Sequence, residues 1–142
     1  MIKYSFVIIA YNEEKNIRSC IESILSQKDL YNYEVIVVDD GSKDKTKDIV
    51  KHIAHNNKNI KLISDGKNHG RGYSRYIGVL SSKGKFIAMI DADIKIPKNW
   101  LEKCNLYIKT YDAVGGIAVP DGDVSYVYRR FKLIPKVVPH ST

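Results

Sequence analysis

Short apolar runs alternating with stretches of helical period constrain this chain most. Residues 3–10 (KYSFVIIA), 33–38 (YEVIVV), 60–63 (IKLI), 86–90 (FIAMI) and 113–119 (AVGGIAV) each read as a strand. Between them, Ile17, Cys20, Ile21, Ile24 and Leu25 recur at helical spacing within 13–27, with Asn12 suited to cap the helix start. Ile49, Val50, Ile53 and Ala54 do the same within 44–55. Two more helices are expected, one from the Gly-rich segment 65–72 to about residue 82 and one from Pro97 to about residue 110. The order βαβαβαβαβ predicts an α/β fold: a mostly parallel sheet with helices on both faces, three-layer and Rossmann-like.

A chain of 142 residues is one domain by length. No apolar stretch approaches the roughly 20 residues of a membrane span, and the start, MIKYSFVIIAYNEE, lacks the form of a signal peptide, so a cytoplasmic location is expected. Cys20 and Cys104 have no partner at metal-ligand spacing and read as structural thiols. Residues 124–142 carry Arg129, Arg130, Lys132 and Lys136 against no acid. Such a tail can meet phosphate groups or an anionic membrane surface, making the chain peripheral to it. Nucleic acid is disfavoured, because basic residues elsewhere are not interleaved with aromatics in a recognition pattern.

The run 84–93, GKFIAMIDAD, ends in two acids separated by alanine. In an extended segment Asp91 and Asp93 point to one side while Ala92 turns away. They suit a hard divalent cation, Mg²⁺ or Mn²⁺, of the kind held by one or two carboxylates plus substrate phosphates. A solvated pair at the end of a strand is the alternative. In parallel α/β sheets ligands bind outside the carboxyl ends of the strands. Tyr11 and Glu13, Asp39 and Asp40, Asp65, and Asp91 and Asp93 all fall at such ends. Acids gathered there repel one another unless a cation or hydrogen-bond donors separate them.

The segment Asn68-His69-Gly70-Arg71-Gly72 opens a helix but lacks dinucleotide-fingerprint spacing and follows the third strand. Its glycines would let backbone approach a ligand, and the helix start with Arg71 or Arg75 nearby would favour an anion. A surface loop is the alternative reading.

Taken together, VIIAYNEEKNIRSCIESIL, YEVIVVDDGSKDKT, NHGRGYSRYIG and GKFIAMIDADIKIPKNWLEK, in this order and at this spacing, resemble the N-terminal, nucleotide-sugar-binding part of family 2 glycosyltransferases, which have the GT-A fold. The resemblance implies that Ala10, Tyr11, Glu13 and Asp39 surround the base and ribose, with Asp40 beside them. It brings Asn68, Gly70, Arg71 and Arg75 over the nucleotide. It turns Asp91 toward the ribose and sugar, and has Asp93, with Asp91, coordinate Mn²⁺ or Mg²⁺ in a DXD motif. The expected donor is a UDP-sugar and the acceptor a saccharide, a lipid carrier or a protein. Ser74 and Tyr76 stand where the family usually has Ala and Asn.

Inverting transfer also needs a general base at the acceptor hydroxyl. After Asp93 the acids are Glu102, Asp112, Asp121 and Asp123, and none sits in the family's base motif. Residues 1–120 are therefore expected to form the donor-binding domain and 121–142 the start of a missing acceptor-binding half, leaving the catalytic base unassigned. Tyr126, Tyr128, Phe131 and Leu133 would then seek a partner, a second copy or another chain. A nucleotide-binding or assembly module without catalysis is the alternative. A sugar nucleotidyltransferase would need a Gly-rich basic loop after the first strand, where this chain has Tyr11-Asn12-Glu13-Glu14.

Overall fold

Four parallel strands form one sheet in the order β3-β2-β1-β4. The computed structural model describes residues 2–27 and 30–116. Along the chain the elements are β1 (Tyr4–Ala10), α1 (Ile17–Leu25), β2 (Tyr33–Asp39), α2 (Thr46–His55), β3 (Ile60–Ile63), α3 (Arg71–Ser81), β4 (Phe86–Asp91) and α4 (Trp100–Tyr107). The chain divides into a unit over Met1–Leu101, which holds the sheet, and another over Glu102–Thr142. In the described part of the latter, the helical turns end with Thr110 and Tyr111 N–H donating to the Tyr107 carbonyl, both at 2.9 Å.

β1 is buried along its whole length, and its alternating side chains feed two cores. Tyr4, Phe6, Ile8 and Ala10 join Val35 and Val37 of β2 and the apolar stripes Ile17, Cys20, Ile21, Ile24 of α1 and Val50, Ile53 of α2. Val7 and Ile9 join Ile36 and Val38 on the opposite face. There α3 lies so close that a Cβ on Gly78 would come 2.3 Å from Val7 Cγ1. Glycine at 78 is thus what lets the helix backbone settle on β1 and β2.

The strand order has a functional consequence. The chain builds β1, β2 and β3 outward in one direction, then crosses back past β1 to lay β4 on its other side. Between the carboxyl ends of β1 and β4 the connections therefore diverge, which opens a crevice at the switch point. Gln27, just past α1, ties down the chain that follows β4: its Nε2 donates to the Pro97 carbonyl at 2.9 Å, and its Oε1 accepts from Leu101 N–H at 2.9 Å. Ser23 Oγ accepts from Ile96 N–H at 3.1 Å. The segment after Asp91-Ala92-Asp93 is thereby pinned to α1.

Several sequence expectations need correction. β4 is packed on one face only among the described residues, with Ile87 and Met89 42% and 43% exposed, because α3 packs chiefly on β1 and β2. α1 begins at Ile17 after Asn16, and Asn12 is no cap: it takes a left-handed φ of 56° in a turn. Residues 113–116 form no strand, while 117–119 and the tail residues singled out above lie outside the described residues. No helix among the described residues is long and apolar enough to cross a membrane.

Candidate nucleotide site at the switch point

Three loops meet at the carboxyl edge of the sheet, and the middle one, 40–46, holds the other two. Toward the loop after β1, Ser42 Oγ accepts from Asn12 N–H at 2.9 Å, Thr46 Oγ1 from Glu13 N–H at 2.7 Å and Asp44 Oδ2 from Glu14 N–H at 3.0 Å. In return Asn12 Oδ1 accepts from Lys43 N–H at 2.8 Å and Glu14 Oε2 from Lys45 N–H at 3.0 Å. This lacing fixes where Tyr11 and Glu13 stand. Sequence reasoning missed Asn12, Glu14, Ser42, Asp44 and Thr46, although Asn, Ser, Thr and Asp clustered just past two strands are the residues that bond nearby backbone.

Burial alone would push the Asp44 carboxyl up, but the Thr46 hydroxyl and the Thr46 and Glu14 amides outweigh it and hold it below its ordinary value. A depressed carboxyl adds stability above its unfolded value of 3.8 and loses it as pH falls through the folded one. Asp44→Ala is therefore expected to cost about 1–2 kcal/mol at pH 7. Urea melts should show that cost shrinking as pH falls below 3.8 through the lower folded value, and a cost independent of pH would contradict the assignment.

Toward the loop after β3, Gly41 has φ +77° and packs on backbone: a Cβ there would lie 2.6 Å from Lys67 C and 2.8 Å from Asn68 N. The neighbouring Asp40 is buried, and its two carboxylate oxygens accept from His69 N–H at 2.8 Å and Gly70 N–H at 3.0 Å. Asp39 is buried too, accepting from Ser42 N–H at 3.2 Å and Ser64 hydroxyl at 2.8 Å. Asp65 pairs with His69 at 2.8 Å and accepts from Lys67 N–H at 3.0 Å, which hold its carboxyl below the ordinary value. Backbone and side-chain donors thus neutralise much of the acid cluster that the sequence brings to this edge.

The remaining acids line a cleft of about 420 Å³ with Tyr11, Asn68, Gly70 and Arg71. Asp91 closes β4 and its carbonyl accepts from Ile94 N–H at 3.0 Å, so Asp93 sits in a turn and not in extended chain. That turn still buries Ala92 and leaves both carboxylates on the cleft. Asp91 Oδ1 receives Arg75 Nη2 at 3.0 Å, while Asp93 has no hydrogen bond or ion pair among the described residues. Beneath them the buried Cys20 thiol donates to the Asp91 carbonyl at 3.7 Å. Burial and the charges of Asp93, Glu13 and Asp91 push that thiol up to about 12, so it stays neutral.

Of the residues singled out from sequence, Tyr11, Glu13, Asp40, Asn68, Gly70, Arg71, Asp91 and Asp93 share this cleft. Ala10 is buried in the core and meets the site through its carbonyl, which accepts from Asp40 N–H at 2.9 Å. Arg75 reaches the site through Asp91. Asp39 lines a neighbouring cavity of about 270 Å³ with Ile63, Ser64, Tyr73 and Ile77.

Among the described residues no group of three or more His, Cys, Asp and Glu is placed to hold a metal ion by itself. Asp91 and Asp93 therefore fit a hard cation only if other oxygens complete its shell, as substrate phosphates do for Mg²⁺. A switch-point cleft lined by carboxylates on a parallel sheet defines the class, an α/β protein with a polar cleft at its strand ends, where such folds place ligands.

The family is Glycosyl transferase family 2, which matches residues 5–140, and the chain belongs to it. It is 32% identical over 130 residues to dolichyl-phosphate beta-glucosyltransferase ALG5C of Trichomonas vaginalis, covering 87% of this chain and 39% of that protein. It is 31% identical over 125 residues to glycosyltransferase AglE of Haloferax volcanii, covering 87% and 40%. The chain thus spans about two fifths of the length of these relatives. Residues 1–349 of S. aureus TarS in complex with UDP-GlcNAc superpose with TM-score 0.69 at 31% identity, over 84% of this chain and 37% of that one. Mannosyltransferase PcManGT of Pyrobaculum calidifontis, in complex with GDP-Man and Mn²⁺, gives 0.65 at 23% identity over 70% and 30%, and shares the GT-A fold.

Proposed function

We propose that this chain binds the nucleotide-sugar donor, a UDP-sugar, of a metal-dependent inverting glycosyltransferase. The observation that carries this is the charge of the cleft: among the described residues Glu13, Asp40, Asp91 and Asp93 line it, against Arg71 and the Arg75 that pairs with Asp91. A nucleoside diphosphate entering such a cleft is repelled unless a cation comes with it. Asp91 and Asp93 would hold that cation, and the exposed Tyr11 ring offers a flat surface for a base. The likeness to TarS with UDP-GlcNAc supports the choice of donor.

In this reading a bound divalent ion stabilises the charge that develops on the departing diphosphate. The protein's own residues would orient the donor: Arg71 lines the cleft and suits phosphate oxygens, and Asn68 and Gly70 form part of its wall. Arg75 holds Asp91 at 3.0 Å, which keeps one carboxylate aimed while balancing its charge. The acceptor and the base that takes its proton are assigned to no residue here.

The test is thermal denaturation with UDP, GDP and dTDP, each with Mn²⁺ or with a chelator. A ligand at a hundredfold its dissociation constant adds about 2.7 kcal/mol, which moves the midpoint by several degrees. UDP with Mn²⁺ should do so and UDP with chelator should not. No shift with any of the three in the presence of metal would refute the reading.

A further inference from the structure

We infer that Asp40 is a positioning residue, an internal anion that holds the two amides ahead of α3 and locks the Asn68–Gly70 segment against the end of β2. Successive backbone N–H groups at a helix start form a concavity that takes an anion, commonly a phosphate of the ligand. Here two successive amides just ahead of α3, His69 and the cap residue Gly70, both already donate to the Asp40 carboxylate, at 2.8 and 3.0 Å. Asp40 is 4% exposed and its own N–H donates to the Ala10 carbonyl at 2.9 Å, so its backbone is fixed where β1 and β2 end. Gly41 makes the same junction from the backbone side, where any Cβ would strike Lys67 and Asn68.

Two consequences follow. The His69 and Gly70 amides are not free for a ligand phosphate, which would rely on the cation at Asp91 and Asp93 and on Arg71. The loops after β2 and β3 also move as one body, so that Asn68, Gly70 and Arg71 keep their place on the cleft. The second consequence for nucleotide binding rests on the donor-site reading above; the lock itself does not.

The test uses the whole chain with Asp40→Asn and Asp40→Ala. Amide hydrogen exchange without nucleotide should accelerate about 10- to 100-fold at His69 and Gly70 in Asp40→Ala. Asp40→Asn, which keeps one acceptor oxygen, should release one of the two amides and covers the case in which the alanine variant does not fold. Core amides of β1 and β2 should be unchanged. Inorganic pyrophosphate with chelator should then shift the His69 and Gly70 amide resonances in the alanine variant and leave the parent unmoved, since only the variant has a vacant anion position. Protection retained at both amides in both variants would overturn the lock, as would acceleration spread through β1 and β2, which marks a general stabilising role. UDP with Mn²⁺ should bind about tenfold more weakly to the variants. A parent that binds no UDP would overturn the donor-site reading and leave the lock to be judged by exchange.

Discussion

Asp93→Asn is expected to lower the affinity for UDP in the presence of Mn²⁺ at least about 100-fold, or ~2.8 kcal/mol, with an unchanged melting temperature. The side chain is exposed and makes no hydrogen bond or ion pair among the described residues, so the folded state loses nothing when its charge is removed. Only the cation loses a ligand. In chelator the sign should reverse or vanish, because one repelling carboxylate in the cleft has gone and the diphosphate meets less negative charge. Titrations of parent and variant with and without metal read both effects. Equal affinity for UDP and Mn²⁺ in the two proteins would remove Asp93 from the site.

Gly41→Ala should be the most damaging glycine substitution tested at the site. An L-residue held at φ +77° is strained, and the new methyl would lie 2.6 Å from Lys67 C, 2.8 Å from Asn68 N and 2.9 Å from Lys67 O. These are backbone atoms, which cannot rotate away as a side-chain tip can. Strain and overpacking together are expected to cost about 2–4 kcal/mol, which for a chain of this size lowers the melting temperature by about 10 °C. Gly72→Ala is the control. A Cβ there meets nothing within 4 Å and the position lies in the first turn of α3, so alanine should be neutral or slightly stabilising. Similar losses at 41 and 72 would show that the close approach of the two loops is not what glycine 41 provides.

The strands were legible because each is a short apolar run that stops at a polar turn, and β1 and β2 are buried as such runs imply. What the run at β4 did not reveal is that one face is left uncovered by the described residues. A strand alternating between packed and exposed positions reads the same as a fully covered one when apolar residues occupy both, as Ile87 and Met89 do. Helix starts were displaced where loop chemistry competed with helical period. Residues 13–16 read as helical by spacing, yet the Glu13 and Glu14 amides donate to Thr46 and Asp44, and this holds the segment in a turn.

The site's position was legible from acids at strand ends, but the roles of those acids were not. Asp39, Asp40, Asp91 and Asp93 look alike in sequence. Structure separates them: Asp39 and Asp40 are buried against donors far along the chain, such as Ser64 and His69, with Asp40 at the cleft wall, and Asp91 and Asp93 are exposed on the cleft. Such pairings depend on which loops the sheet order brings together, and the order β3-β2-β1-β4 is not written in any local pattern.

The most direct measurement is electron paramagnetic resonance of Mn²⁺ titrated with the chain, alone and with UDP. Free Mn²⁺ gives a strong signal that is lost on binding. With only two carboxylates on the cleft from the DAD turn, the protein alone should quench it weakly, and UDP should deepen the quenching beyond what UDP does without protein. That synergy should disappear in the Asp91→Asn, Asp93→Asn double variant. Quenching by the chain and UDP that merely adds, or that persists in the double variant, would contradict a cation shared between these carboxylates and a nucleotide diphosphate.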